Sequence, residues 1–289
     1  MLKLTTQWIL AALLMPIFSM SVHAVSWDMT MTSACHGSDK GVAHDSDGIW
    51  CGQGWTDIAF MDDTMSYQAR MTGWSDTDGQ WWDPEIEQAA FHYYGGHNGW
   101  GLVNKDEVEH SPEHAFDNIM GNIPGAQPGD NESHVDFDYV LISFAEHMIL
   151  DSVIAGYTGS DSDISILSYQ GSSNAEDTLL GSAWDELLNK GWVVTGNYNG
   201  ADQAPTEQDS VFSVDTEHAS QYWLVGAYHS IWGDSSSELD VYDDSFKLIG
   251  FEASLAPLPS YAVSEPSGVG CFLLASFALL RVQRKNTRR

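Results

Sequence analysis

The chain has 289 residues, with 41 acidic side chains against 11 Lys and Arg, for a formal net charge of −30. So large a carboxylate excess excludes nucleic acid and anionic membrane surfaces as electrostatic partners. Twelve Trp and frequent Val, Ile, Leu, Phe and Tyr exclude a disordered chain.

The first element is a leader. Lys3 precedes an apolar run over residues 8–18, and the small side chains Val22 and Ala24 follow. That order reads as a secretory signal peptide, residues 1–24, cut after Ala24. The exported body then holds 40 of the 41 carboxylates but only Lys40, Arg70, Lys105, Lys190 and Lys247 as cations. A surface this acidic suits salty water, where screening over about 8 Å or less weakens self-repulsion, and it also suits clusters that bind divalent cations.

Export places Cys35 and Cys51 in an oxidising compartment, so they are expected to pair and close a loop rich in Gly, Asp and His. Such a loop stabilises by roughly 3 kcal/mol in the chain-entropy model. A Cys/His metal site using His36 or His44 is the alternative, but the sequence lacks Cys-x-x-Cys there.

Residues 25–254 are expected to form one acidic all-β domain, an antiparallel β-sandwich of jelly-roll-like kind with one short inserted helix. Short apolar runs bounded by Gly, Asp, Ser and Asn predict strands over 66–72, 89–94, 137–144, 148–157, 164–169, 192–198, 222–231 and 245–251. The pair 137–144 and 148–157 is expected to meet near Ala145 and Glu146. The helix is predicted over 178–189, where Leu179, Leu180, Trp184, Leu187 and Leu188 form an apolar stripe ended by Lys190-Gly191. Residues 126–132 and 199–209 read as loops, and the Pro-rich stretch 255–263 as an extended stalk.

Within the body, Asp161-Ser-Asp163 and Asp45-Ser-Asp47 place carboxylates two apart in turns, where both can face one cation. Neither completes an EF-hand, because the Glu at the twelfth position is missing, and ordinary Asx turns account for the same spacing. Asp117-Asn118, Asp136, Asp138 and Asp243-Asp244 offer a second set. Asp161, Asp163, Asp117 and Asp244 are therefore the candidate metal ligands, and Ca²⁺ is the cation such oxygens would take. His92, His97, His110, His114 and His134 do not form a zinc motif, and packed or surface histidines explain them. Trp81-Trp82, with Trp74, Tyr93, Tyr94 and Trp100 nearby in sequence, can form an aromatic platform for sugar rings. Neighbours on a strand point to opposite faces, however, so core packing competes for them. No nucleophile elbow, phosphate loop or nucleotide fingerprint is present, and no catalytic residue is assigned.

At the other end a short apolar segment, residues 269–280, is followed by Arg281, Arg284, Lys285, Arg288 and Arg289. Twelve residues are fewer than the roughly 20 of a spanning helix, although flanking arginines extend the reach by snorkelling. The basic cluster would stay cytoplasmic by the positive-inside bias. Just before the run stand Ser264, Glu265 and Pro266.

A Pro-Glu-Pro-like motif, a brief apolar segment and a basic end resemble the tripartite PEP-CTERM signal read by exosortases in Gram-negative bacteria. The resemblance covers residues 264–289, with Ser264 standing where the family motif has its first proline. It implies recognition at Glu265-Pro266, a transient inner-membrane intermediate, removal of the tail by an exosortase, and delivery to the cell surface or extracellular matrix beside an exopolysaccharide. The resulting expectation is a non-enzymatic surface protein. A Ca²⁺-dependent carbohydrate-binding module and a secreted glycoside hydrolase are the alternatives.

Overall fold

The computed structural model describes residues 24–30, 43–45, 48–50, 57–76, 85–95, 98–103, 115–118, 137–159, 161–200, 209–233, 239 and 244–257. The leader up to residue 23, Cys35, Cys51, Trp81, Trp82, the sorting motif and the basic tail lie outside them. No helix among the described residues is long and apolar enough to cross a membrane.

The chain is all-β, as its apolar runs predict. The strands are β1 (Ala24–Asp28), β2 (Ala43–Asp45), β3 (Gly48–Trp50), β4 (Asp57–Met61), β5 (Gln68–Ser75), β6 (Glu87–Tyr93), β7 (Trp100–Val103), β8 (Phe116–Asp117), β9 (Asp138–Thr158), β10 (Ile164–Tyr169), β11 (Trp192–Tyr198), β12 (Ser210–Ser213), β13 (Ser220–Ala227) and β14 (Ser245–Leu255). β2 and β3 pair only with each other. The other twelve form one sheet, in which β14, β7, β6, β5 and β9 are neighbours in turn and β9 pairs back onto β14. The frame is thus a closed five-stranded barrel with added strands, rather than a clear jelly roll.

β9 makes this closure possible. The sequence predicts two strands over this stretch, but the chain runs through as one 21-residue strand. Its first half lies between β5 and β13, with Trp74 opposite Tyr139 and Leu224 opposite Leu141. Its second half lies between β14 and β12, with Phe251 and Phe212 both opposite Val153. The change of partners falls at Ala145, Glu146 and His147, which are exposed. The two expected strands are therefore one, with a register shift against β13 at the expected junction.

Strand alternation feeds two cores. Val140, Ile142, Trp223 and Val225 point to one side, where they pack with Trp27, Phe60, Phe91, Trp100, Phe246 and Phe251. Tyr139, Leu141 and Leu224 point to the other, against Leu167, Leu179, Trp184, Leu187, Trp192 and Trp232. Because both faces are covered, β9 reads as a near-continuous apolar run instead of an alternating one.

The inserted helix is shorter than its apolar stripe suggests. It covers only Glu176–Leu179, and a 3-10 segment follows over Trp184–Lys190. Gly181 between them has φ +68° and breaks the periodicity. Leu179, Trp184 and Leu187 are buried, whereas Leu180 and Leu188 are exposed. Gly191 closes the second segment in the left-handed conformation, at the stop the sequence predicts.

Candidate functional site

The barrel brings three carboxylates to one place. Asp161 and Asp163 occupy the short connection between β9 and β10, and Asp244 immediately precedes β14. Backbone pairing holds the two segments side by side. Asp161 and Asp244 form a parallel bridge, Gly159 N–H donates to Ser245 O at 2.7 Å, and Ser245 N–H donates to Asp161 O at 2.9 Å. One ligating oxygen from each of Asp161, Asp163 and Asp244 lies within 4.8 Å of the others. Their exposures are 7%, 0% and 0%, so all three are buried.

Asp244 is held on both oxygens. Oδ1 accepts the backbone N–H of Asp163 at 2.7 Å, and Oδ2 accepts from the Asn118 amide at 2.5 Å. Asn118 also donates to Tyr228 O at 2.9 Å and accepts from Asp244 N–H at 3.0 Å, which ties the end of β8 to the ends of β13 and β14. Asp163 Oδ1 accepts from Gly200 N–H at 2.7 Å, and Asp161 Oδ1 accepts from Ser162 N–H at 2.6 Å. Donors of this kind favour ionised carboxylates, while burial and mutual repulsion oppose ionisation. At Asp244 the opposing effects win. Burial first, then the charge of Asp163, push its carboxyl up to about 9.

Three adjoining buried carboxylates need a positive counterpart. A proton shared through Asp244 supplies one charge. A divalent cation supplies two, and an all-oxygen set of this spacing fits Ca²⁺, whose ligands lie about 2.3–2.6 Å from the ion. The trio contains no His or Cys, which sets it apart from zinc sites.

The structure therefore brings together three of the four carboxylates expected as ligands. Asp117 is not in the trio; its backbone pairs with Ser245, and its neighbour Asn118 makes the contact to Asp244. Asp138, also weighed from sequence, is buried at the start of β9 and is likewise outside the trio. His92 is a packed core residue with its ring 4.4 Å from that of Tyr94. Trp74, Tyr93 and Trp100, candidates for an exposed aromatic platform, are core residues no more than 5% exposed. The signal that sequence reading lacked is strand order, which alone places residue 244 beside 161.

No protein-family model, curated protein or solved structure matches the chain.

Proposed function

We propose that this chain is an exported, non-enzymatic surface or matrix protein of a Gram-negative bacterium, whose barrel end is braced by a divalent cation held by Asp161, Asp163 and Asp244. The observation that carries the reading is the burial of the trio. A glycosidase needs its two carboxyls on either side of a bound glycosidic bond, and Asp161, Asp163 and Asp244, at 0–7% exposure, are too buried to be such a pair. Such a cluster serves the fold, and an acidic surface is left to meet water, cations and polysaccharide.

The export part of the proposal rests on the leader, the Ser264-Glu265-Pro266 motif, the apolar run and the basic end. The fold is compatible with loss of both ends. β1 begins at Ala24, so a cut after that residue removes a single terminal pair, Ala24 with Ser254. The last described strand ends at Leu255, ahead of the sorting motif. Exosortase is the processing partner and exopolysaccharide the surface partner.

Intact-mass analysis of the protein from its host, with and without the exosortase, tests the sorting. A mature form that starts at Val25 and ends near Ser264 to Pro266, replaced by a tailed inner-membrane form when the enzyme is absent, is the expected result. A tail retained in both strains makes this a membrane-tethered periplasmic protein and removes the surface assignment.

A further inference from the structure

At the far end of β10 from the carboxylates, about 20 Å away by strand rise, lies a half-open groove of about 370 Å³. It is lined by His147, Tyr169, Ser173, Asn174, Gln221 and Tyr222 together with the turn residues Gly171 and Ser172. A volume of this size falls in the range of small-molecule sites, roughly 300–1,000 Å³.

Two irregularities build it. Ser220 pairs with Met148 and Tyr222 with Ser143, so residues 144–147 of β9 face the single residue Gln221 of β13. A bulge of this kind re-aims side chains out of the ladder. Gln221 Nε2 fixes it by donating to Ala145 O at 2.7 Å, leaving His147 exposed on the rim. On the opposite wall the turn after β10 folds back onto Tyr169, whose hydroxyl is hydrogen-bonded to Ser173. Gly171 permits that approach, since a Cβ there would sit 2.3 Å from the Tyr169 hydroxyl oxygen. Tyr169 meets the ring of Tyr222 edge-on at 6.1 Å, and the carbonyls of both share the single O–H of Ser220, at 2.7 and 2.8 Å from its Oγ. Asn174 is oriented through Oδ1, which accepts from Glu176 N–H at 3.3 Å. The walls are thus set by contacts within the protein before any ligand arrives.

The lining chemistry is selective. In a chain of net charge −30, no Asp, Glu, Lys or Arg is among the described residues that line this groove. It offers two amides, serine and tyrosine hydroxyls and an imidazole, beside the half-buried ring of Tyr222. Amides and hydroxyls donate and accept at close spacing, as vicinal sugar hydroxyls do, and a tyrosine ring offers an apolar face to the C–H side of a pyranose. Among the described lining residues no carboxylate, ammonium or guanidinium offers a counter-charge to a charged ligand. We propose that the groove between the β9 bulge and the turn after β10 binds one or two residues of a neutral hexose glycan. This deepens the surface reading above, resting on its polysaccharide partner, and is independent of the cation brace.

The test is calorimetric titration of the full-length protein with hexamers of glucose, mannose and galactose, and with galacturonic acid hexamer as the charged comparison. One neutral hexamer is expected to bind with a Kd of about 10 μM to 1 mM. Tyr222→Ala is expected to weaken it roughly tenfold or more, Gln221→Ala and Asn174→Ala several-fold each, and Tyr222→Phe little. The two amide variants keep the test sound if loss of the tyrosine ring disturbs the fold. Absence of binding by every neutral hexamer, stronger binding of the galacturonate hexamer, or unchanged affinity in Gln221→Ala and Asn174→Ala overturns the proposal.

Discussion

The carboxylate of Asp244 accepts the backbone N–H of Asp163 at 2.7 Å, joining residues 81 positions apart across the end of the barrel. With Asn118 donating to its other oxygen, Asp244 becomes the point where the ends of β8, β13 and β14 and the start of β10 are held together. The acidity of the chain is therefore not only a surface property. Part of it is internal and has to be neutralised there.

Asn118→Ala removes the amide from that junction and leaves Tyr228 O, Asp244 N–H and one Asp244 oxygen without their partner. Stranded buried groups cost about 1–3 kcal/mol each, so a loss of at least about 2 kcal/mol is expected. Urea unfolding checks it, with a lower midpoint and an unchanged slope as the expected result.

His229 supplies an acid-sensitive point elsewhere in the fold. Its ring stacks on Phe137 at 3.7 Å, and burial lowers its pKa to about 3. The unfolded chain takes up that proton near 6.5 and the folded chain does not, so stability present above 6.5 is lost as pH falls toward 3. The expected slope from this group is about 1.4 kcal/mol per pH unit within that window. His229→Phe, which preserves the stack, is expected to flatten the acid limb of a Tm-versus-pH curve.

Asp244 acts with the opposite sign. Its carboxyl is raised in the fold from the ordinary 3.8 to about 9. Without a cation, its contribution is full below about 3.8 and is lost as pH rises through 9. Between about 6.5 and 9 the contribution of His229 is full and constant, so the cation-free protein is expected to lose stability with rising pH, at up to about 1.4 kcal/mol per unit. A divalent cation takes the place of the proton, so Ca²⁺ is expected to remove that slope and to release protons on binding. Titration of Ca²⁺ in weakly buffered solution at pH 7 measures the release directly.

Gly226 marks a close approach in the second core. A Cβ there would lie 2.2 Å from Asp138 O and 2.3 Å from the Tyr139 ring, whose hydroxyl donates to Ala227 O at 2.6 Å. Backbone cannot yield as a flexible side chain can. Gly226→Ala is expected to destabilise by about 2 kcal/mol or more, visible as a drop in Tm with the sheet content retained in far-UV circular dichroism.

The legible parts of this fold were the local ones. β10 and β11 fall at the residues their apolar runs predict, because each is bounded by polar turns, with β10 buried throughout and β11 anchored by the buried Trp192. Asp161 and Asp163 stood out by their spacing, and Asp244 by its place ahead of the last strand. Closure of β9 onto β14 was not legible, since an apolar run records that both faces are buried but not which strand covers them. The same holds for the choice of Asn118 over Asp117, since both are buried and only the backbone path past β8 decides which of the two meets Asp244. The helix reading overran because Leu180 and Leu188 fit the stripe but sit on the exposed side of a break at Gly181. The groove at Tyr222 left no sequence signal, since it comes from a mismatch of four residues against one across two strands.

Thermal unfolding of the wild type and Asp244→Asn, each in about 1 mM Ca²⁺ and in excess chelator, tests the brace most directly, because Ca²⁺ sites of extracellular modules have Kd values near 10⁻⁴–10⁻³ M. The wild type is expected to unfold at a higher temperature with Ca²⁺ than with chelator, by an amount that grows with cation concentration as RT ln(1 + [L]/Kd), while Asp244→Asn gives the same Tm in both. Identical melting of the wild type in Ca²⁺ and chelator would contradict the account, leaving Asp161, Asp163 and Asp244 as a proton-sharing cluster that holds no metal.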